Sequence, residues 1–277
     1  DIALMKYLVE AAGEHSENVG YGLSNIKNTN IIYKTRFLMD LFNSWLVQQP
    51  IAHRGLHNAT VPENSLTAFS KAIECGYPIE LDVQIIADGT IVVFHDDSLS
   101  RLTDNDGYLK FLNKEDLKYL SLKGSNEKIP TLEEVLDLVD GKVPLLIEIK
   151  NEGKVGKLEK GVLEILNNYH GEFAIQSFNP FVLEYFFKHA PEIPRGQISS
   201  YFRDIKLSFF KKFALKRMIL NKRVSHPDFI SYEAKRLPNR FTKKYKNLPL
   251  LAWAVTSQSE YLKVVKHCDN VIFENFE

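Results

Sequence analysis

Cysteine is scarce in this 277-residue chain. Cys75 and Cys268 lie far apart and outside any CxxC pattern, which excludes a disulfide framework and a cysteine-based zinc site. Both are expected as reduced, small apolar core residues. A charge surplus is missing as well, because 35 Lys and Arg balance 35 Asp and Glu. Nucleic-acid binders usually carry a basic excess, so no nucleic-acid partner is expected. No apolar run approaches the roughly 18 residues of a membrane span. The opening DIALMKYLVE carries charge where a signal peptide would be apolar, so a cytoplasmic or membrane-associated location is expected for the chain as given.

What is present suits a large folded core: 44% apolar and 25% charged residues, in a length normal for one α/β barrel. Residues 1–50 read differently from the rest. A short helix at KYLVEAAGEH and a Gly/Asn/Ser-rich loop precede IIYKTRFLMDLFNSWLV, whose Phe37, Leu38, Leu41, Phe42 and Trp45 fall on one helical stripe. Pro50 ends it, so 1–50 is expected as a helical extension and 51–277 as the barrel.

From residue 51, short β-prone runs alternate with amphipathic helical stretches, the pattern of parallel α/β architecture. Eight such runs fall at 51–55, 78–85, 144–150, 173–178, 194–199, 228–233, 249–255 and 270–275. A ninth, TIVVFHD at 90–96, follows its predecessor too closely for a parallel crossover and must form an antiparallel hairpin. Asp88-Gly89 is its turn signal. Eight parallel strands remain, the number that closes a (β/α)8 barrel. A turn centred between Asp88 and Gly89 would set Asp82 opposite His95, on one face of the pair. About 97–130 has no counterpart between the other strands and is expected as a small helical insertion. A helix over 131–139 follows, with Thr131 and Glu134 spaced as a capping box.

Barrel interiors favour Val, Ile and Leu, yet three strands carry ionisable groups: His53-Arg54, then Glu80 and Asp82, then Glu148 and Lys150. Buried carboxylates cost several kcal/mol unless compensated. Packing alone does not explain such a set near the strand ends, where barrel active sites lie. Glu80, Asp82 and Glu148 are hard oxygen donors, so a divalent cation such as Mg²⁺ or Ca²⁺ fits better than Zn²⁺. The competing reading is a buried ion-pair network with Arg54 and Lys150. His53 and His95, flanking the acids, are the natural acid–base pair for breaking a P–O bond near neutral pH. Arg54 can fork onto two phosphate oxygens. The roles of His57 and Asn58 stay open.

HRG at 53–55, PENSLTAF at 62–69, GYPIELDVQ at 76–84, DGTIVVFHD at 88–96, LSRLT at 99–103, IPTLEEVL at 129–136, LLIEIK at 145–150, IQSFNP at 175–180 and AWAV at 252–255 together resemble the glycerophosphodiester phosphodiesterase family, in a form similar to that of low-GC Gram-positive bacteria. The resemblance covers about 51–277. It implies a (β/α)8 barrel with an insertion after the HD pair. Glu80, Asp82 and Glu148 would bind the metal, His53 and His95 would form the acid–base pair, and Arg54 would contact phosphate. On the same ground Lys150 lies near the phosphate and Trp253 lines the pocket. The implied activity is hydrolysis of glycerophosphodiesters to glycerol 3-phosphate and an alcohol. Two places depart from the usual pattern. Phe273-Glu274-Asn275 stands where many members have Thr-Asp, and Trp253-Ala-Val-Thr where Trp-Thr-Val-Asn is usual. Both are expected away from the metal ligands, bearing on substrate choice.

Residues 201–223 mix aromatics with Lys and Arg. They read either as an interfacial helix on anionic lipid, a peripheral membrane association, or as an outer barrel helix with a solvated basic face; the second is preferred. Thr103–Gly107 lacks the spacing of a calcium loop and reads as a turn. Two rivals remain. One is the same chemistry on lysophospholipid, sphingomyelin-like or teichoic-acid phosphodiesters. The other is a non-catalytic polyol-phosphate or lipid binder, against which stands the filling of every expected catalytic position.

Overall fold

The computed structural model describes residues 41–151, 153–203 and 208–275. Most of the helical extension expected over 1–50 falls outside them. A short helix α1 (Trp45–Gln48) leads into β1 (Ile51–His53), and its end is tied to the sheet where the Asn270 amide donates to the Leu46 and Gln49 carbonyls at 2.8 and 2.7 Å. The other strands are β2 (Ile79–Ile85), β3 (Ile91–Val93), β4 (Leu145–Ile149), β5 (Phe173–Ser177), β6 (Arg195–Ser199), β7 (Phe229–Glu233), β8 (Leu250–Val255) and β9 (Asn270–Phe273). All but β3 pair in parallel around a ring, and the β1–β2 pairing closes it. The eight-stranded barrel read from the alternation is therefore present.

The covering helices are α2 (Leu66–Glu74), α3 (Leu132–Val139), α4 (Lys157–Leu166), α5 (Pro180–His189), α6 (Phe209–Lys216) and α7 (Gln258–Val264). Local sequence accounts for their bounds. The Ser65 hydroxyl accepts from the Ala68 N–H, and Thr131 and Glu134 satisfy each other's backbone donors as a capping box. Helix α3 then buries Leu132, Val135, Leu136 and Val139, a stripe at helical spacing, and ends on left-handed Asp140. Between β7 and β8 the chain makes only two 3₁₀ turns, Ala234–Arg236 and Thr242–Tyr245, where a full helix would complete the repeat.

The hairpin forms, but its register differs by one from the expected pairing. Val83 faces Val93, Gln84 faces Val92 and Ile85 faces Ile91. Residue 82 therefore comes level with 94, and the Phe94 N–H donates to the Asp82 carbonyl at 3.0 Å. The loop spans three residues, with Gly89 at φ +94°, rather than two. Strand β3 finds an edge because β1 is so short: β1 covers only Ile79 and Glu80 of β2 and leaves the upper part of β2 open on that side.

Beyond β3 the chain builds a second apolar cluster around Phe94, Leu99, Leu109, Leu117, Leu122 and Ile129, resting on Ile86 and Val92. Its helical content is two short 3₁₀ turns, Leu109–Phe111 and Lys114–Tyr119. Neither cysteine is a core residue: Cys75 closes α2 in solvent, and Cys268 is half-buried.

Candidate active site

The register sets Asp82 and Glu148 at one level, with Glu80 two residues earlier on β2 beside His53. His53 pairs with Glu80 across β1–β2, and Asp82 pairs with Glu148 across β2–β4. Glu80 and Asp82, two apart on one strand, both point inward. Glu80, Asp82 and Glu148 are buried and each offers a carboxylate oxygen within 4.8 Å of the others'. Two cations lie among them: Arg54 reaches Asp82 at 3.1 Å, while Lys150 stands 3.3 Å from Glu148 and 3.7 Å from Asp82. The ion-pair network is thus present, but it does not balance three acids. Burial would raise the Asp82 carboxyl, yet Arg54 and then Lys150 hold it well below the usual range. Burial raises Glu80 well above it, with Asp82 and Glu148 adding to the push, and burial likewise raises Glu148.

Glu80 has mainly neutral donors. The Arg54 backbone N–H reaches it at 3.2 Å and the Gln176 amide at 3.3 Å, and Gln176 accepts in turn from Ser231 at 2.7 Å. Asp82 Oδ1 is buried without a hydrogen-bond donor among the described residues. An all-oxygen cluster with surplus negative charge and an unsatisfied buried oxygen is what a hard divalent cation fits.

The turn after β1 is tightly specified. Arg54 and Gly55 both take positive φ, +56° and +78°. A Cβ on Gly55 would stand 2.8 Å from the Ala68 backbone carbon, so only glycine lets this turn lie against α2. Arg54 is thereby turned toward Asp82 and Glu63, with Nη1 2.5 Å from Glu63 Oε1. Burial opposes its charge, but Asp82, Glu63 and Glu80 more than offset that. Glu63 also receives Arg101 at 2.8 and 2.9 Å. Arg101 donates onward to Asp96 at 2.6 and 2.8 Å, and Asp96 meets His95 Nδ1 at 2.5 Å. Alternating charges therefore run from Asp82 through Arg54, Glu63, Arg101 and Asp96 to His95. Glu63, Asp96 and Arg101 lie in segments that carried the family resemblance, but nothing in their spacing assigned them partners. Asn64 was missed as well; its amide donates to Asp82 at 2.9 Å.

The histidines flank the acids. His53 Nε2 is 3.9 Å from Glu80, and its Nδ1 lies 2.6 Å from Glu274. Glu274 also faces His57 Nε2 at 3.6 Å. Burial lowers the proton affinity of His53 and of His95; Glu274 works against this at His53 and Asp82 at His95. The Glu274 departure stands outside the three-acid cluster, but it lies against an imidazole beside that cluster, so it bears on more than substrate choice. Continuing the β1–β9 register of Ala52 with Phe273 brings residue 274 level with His53. Trp253 stands in β8 with its ring edge-on to Phe178 at 5.4 Å, and Phe178 meets Phe202 at 5.9 Å. The Trp253 indole N–H is buried without an acceptor among the described residues.

The profile of the Glycerophosphoryl diester phosphodiesterase family matches residues 53–272. The chain belongs to that family. A glycerophosphodiester phosphodiesterase of Caldanaerobacter subterraneus subsp. tengcongensis is 40% identical over 159 residues, covering 53% of this chain and 64% of that protein. The match spans just under two thirds of the first curated relatives. An uncharacterized Mycoplasma genitalium protein is 30% identical over 241 residues, 80% of this chain and 92% of that one. Among solved structures, an Oleispira antarctica phosphodiesterase in complex with the product sn-glycerol-3-phosphate superposes with TM-score 0.70 and 28% identity, covering 82% of this chain and 93% of that one. A Thermotoga maritima glycerophosphodiester phosphodiesterase gives 0.64 and 26%, over 82% and 94%.

Proposed function

We propose that this chain is a metal-dependent phosphodiesterase that hydrolyses glycerophosphodiesters to glycerol 3-phosphate and an alcohol. The carrying observation is two histidines, each with Nδ1 against a carboxylate, on either side of a buried three-carboxylate cluster. The Oleispira relative's glycerol 3-phosphate product is consistent with this substrate class. Residues 51–277 form the catalytic unit in this reading, with about 97–130 as its insertion.

Glu80, Asp82 and Glu148 would hold Mg²⁺ or Ca²⁺, which would supply Lewis-acid stabilisation of charge on the phosphate. Arg54 and Lys150 bind the non-bridging phosphate oxygens; Arg54 is already oriented by Asp82 and Glu63, so little ordering remains to be done on binding. With Nδ1 on Glu274, His53 presents Nε2 to the cluster. His95 is held the same way by Asp96. One imidazole takes a proton from water or a neighbouring substrate hydroxyl, and the other protonates the departing alcohol oxygen. Trp253 and Phe178 form an aromatic wall for the alcohol side, and that wall favours a second reading in which the alcohol is lipid-like. The deciding assay is hydrolysis of glycerophosphodiesters and lysophospholipids with Mg²⁺, Ca²⁺ or chelator. Activity that survives verified metal removal refutes the proposal. Glu148→Gln should weaken metal binding sharply in a folded protein.

A further inference from the structure

Helices α2, α3, α4 and α5 each bury several apolar residues against the barrel, and α6 does not. Of its eight residues only Ala214 is buried. Phe209 and Phe210 are 75% and 74% exposed, and Phe213 is exposed beside them. The three rings group together, with Phe209 5.8 Å from Phe210 and 6.3 Å from Phe213. Contiguous exposed aromatics of this kind mark a surface that meets something apolar.

The attachment of α6 shows where that surface lies. The Ser199 hydroxyl, at the C-terminal end of β6, donates to the Leu215 carbonyl at 2.9 Å. Tyr232, near the end of β7, reaches the Lys216 carbonyl with its hydroxyl at 3.2 Å. Strand C-terminal ends form the barrel face that carries the carboxylates and histidines. The helix is therefore pinned by its own C-terminal turn to the rim of that face.

Charge identifies the partner. From 208 to 227 the chain has no acidic residue, whereas Lys211, Lys212, Lys216, Arg217, Lys222 and Arg223 are basic. One of these charges lies directly on the ring group: Arg217 stacks on Phe213 at 4.0 Å. Lys244, which donates to the Arg217 carbonyl, loses proton affinity through burial and through Lys222 and Arg217 nearby. A chain of zero net charge has thus gathered a positive field around exposed rings. A second copy docking through this patch would set like charges against each other. An anionic bilayer surface satisfies both halves, taking rings at the acyl boundary and lysines at the headgroups.

We infer that α6 is an interfacial docking helix that seats the catalytic mouth on an anionic lipid surface. The contact rests on the exposed rings and their charge alone. Its consequence for catalysis, that a phosphodiester presented at the surface is preferred over the same headgroup in solution, rests on the proposed phosphodiesterase activity.

The test is vesicle co-sedimentation of the full chain on pure phosphatidylcholine and on mixed phosphatidylcholine–phosphatidylglycerol, beside F209S/F210S and K222E/R223E. The wild type should bind the mixed vesicles and release with salt. Each double variant should bind roughly tenfold more weakly, from lost apolar burial or lost charge. Melting temperature and hydrolysis of soluble glycerophosphocholine should not change. Failure of the wild type to bind mixed vesicles overturns the inference, as does equal binding to both compositions or full binding by F209S/F210S. A wild-type dimer that ignores vesicles and dissociates on F209S/F210S assigns the patch to self-association and overturns it too. Vesicle binding without hydrolysis of any phosphodiester would sink the enzymatic proposal and leave the docking surface standing.

Discussion

His53 and His95 have the same local arrangement, a ring Nδ1 against a carboxylate, but their carboxylates stand in different company. His53 ends a barrel strand and its side chain is 13% exposed; His95 lies in the loop after the hairpin and is 31% exposed. Asp96 is clamped by Arg101, and although burial works against it, that hydrogen bonding and His95 hold its carboxyl down to about 2. Among the described residues the Glu274 carboxylate has His53 at 2.6 Å and His57 at 3.6 Å as its ionic partners, and these two imidazoles hold it low. An arginine shares the Asp96 charge that faces His95, whereas among the described residues no arginine or lysine pairs with Glu274. A carboxylate not already spent on a guanidinium stabilises an imidazolium better. Within the proposed mechanism the difference therefore favours His53 as the group that gains a proton and His95 as the group that gives one up.

The largest expected effect treats the pair alike. His53→Ala and His95→Ala should each lower kcat by roughly 10²–10⁴-fold, and the double variant should lose less than the product because both serve one transition state. Wild-type turnover by either single variant would remove that histidine from the chemistry. A substrate with a good leaving group then separates them: a nitrophenyl phosphodiester needs no proton on departure. It should restore His95→Ala and not His53→Ala; the reverse pattern would exchange the roles, and equal rescue would erase the distinction.

The supporting carboxylates sharpen the comparison at smaller scale. Glu274→Gln should lower kcat roughly 10–100-fold with little change in KM, the size typical when the group orienting an active-site imidazole is lost. Glu274→Asp should recover part of it. A KM effect alone would place Glu274 in substrate binding. The smallest effect belongs to the Asp96–Arg101 pair. Asp96 is depressed in the fold, so its contribution to stability is complete above its unfolded value near 4 and fades as pH falls through about 2. Arg101→Met should flatten that acid limb in thermal melts between about pH 4 and pH 2. An unchanged limb would mean that solvent already screens the pair.

Strand count, hairpin and the clustering of the carboxylates were legible because they depend on alternation and on short chain separations. Glu80 and Asp82 share a face whatever the fold around them. The hairpin register was misread by one residue because Asp-Gly suits a two-residue turn as well as the three-residue loop found here. His95 still comes within electrostatic reach of Asp82, since it lies past the last ladder pair. Glu274 was not legible as a partner of His53: their meeting depends on closure of β9 onto β1 across 221 positions. Arg101 and Glu63 meet only once the insertion has folded back over the β1 turn, and Gln176 gains its meaning from Glu80 and Ser231 on other strands.

The short first strand has a kinetic consequence. Because β1 stops early, the segment from Ile86 to Ile129 joins the barrel along the hairpin and keeps an apolar cluster of its own. A unit of that kind can open as a whole while the barrel ladder stays shut. Amides of β3 and of the Leu109–Tyr119 stretch should then exchange with deuterium together and ahead of those in β4 to β8. His95, Asp96 and Arg101 travel with that unit, whereas His53 and Glu274 stay with the ring. On the proposed mechanism the same excursion would dismantle one proton-transfer group and leave the other in place, so the fraction of molecules competent for turnover would follow the stability of the appendage rather than of the barrel.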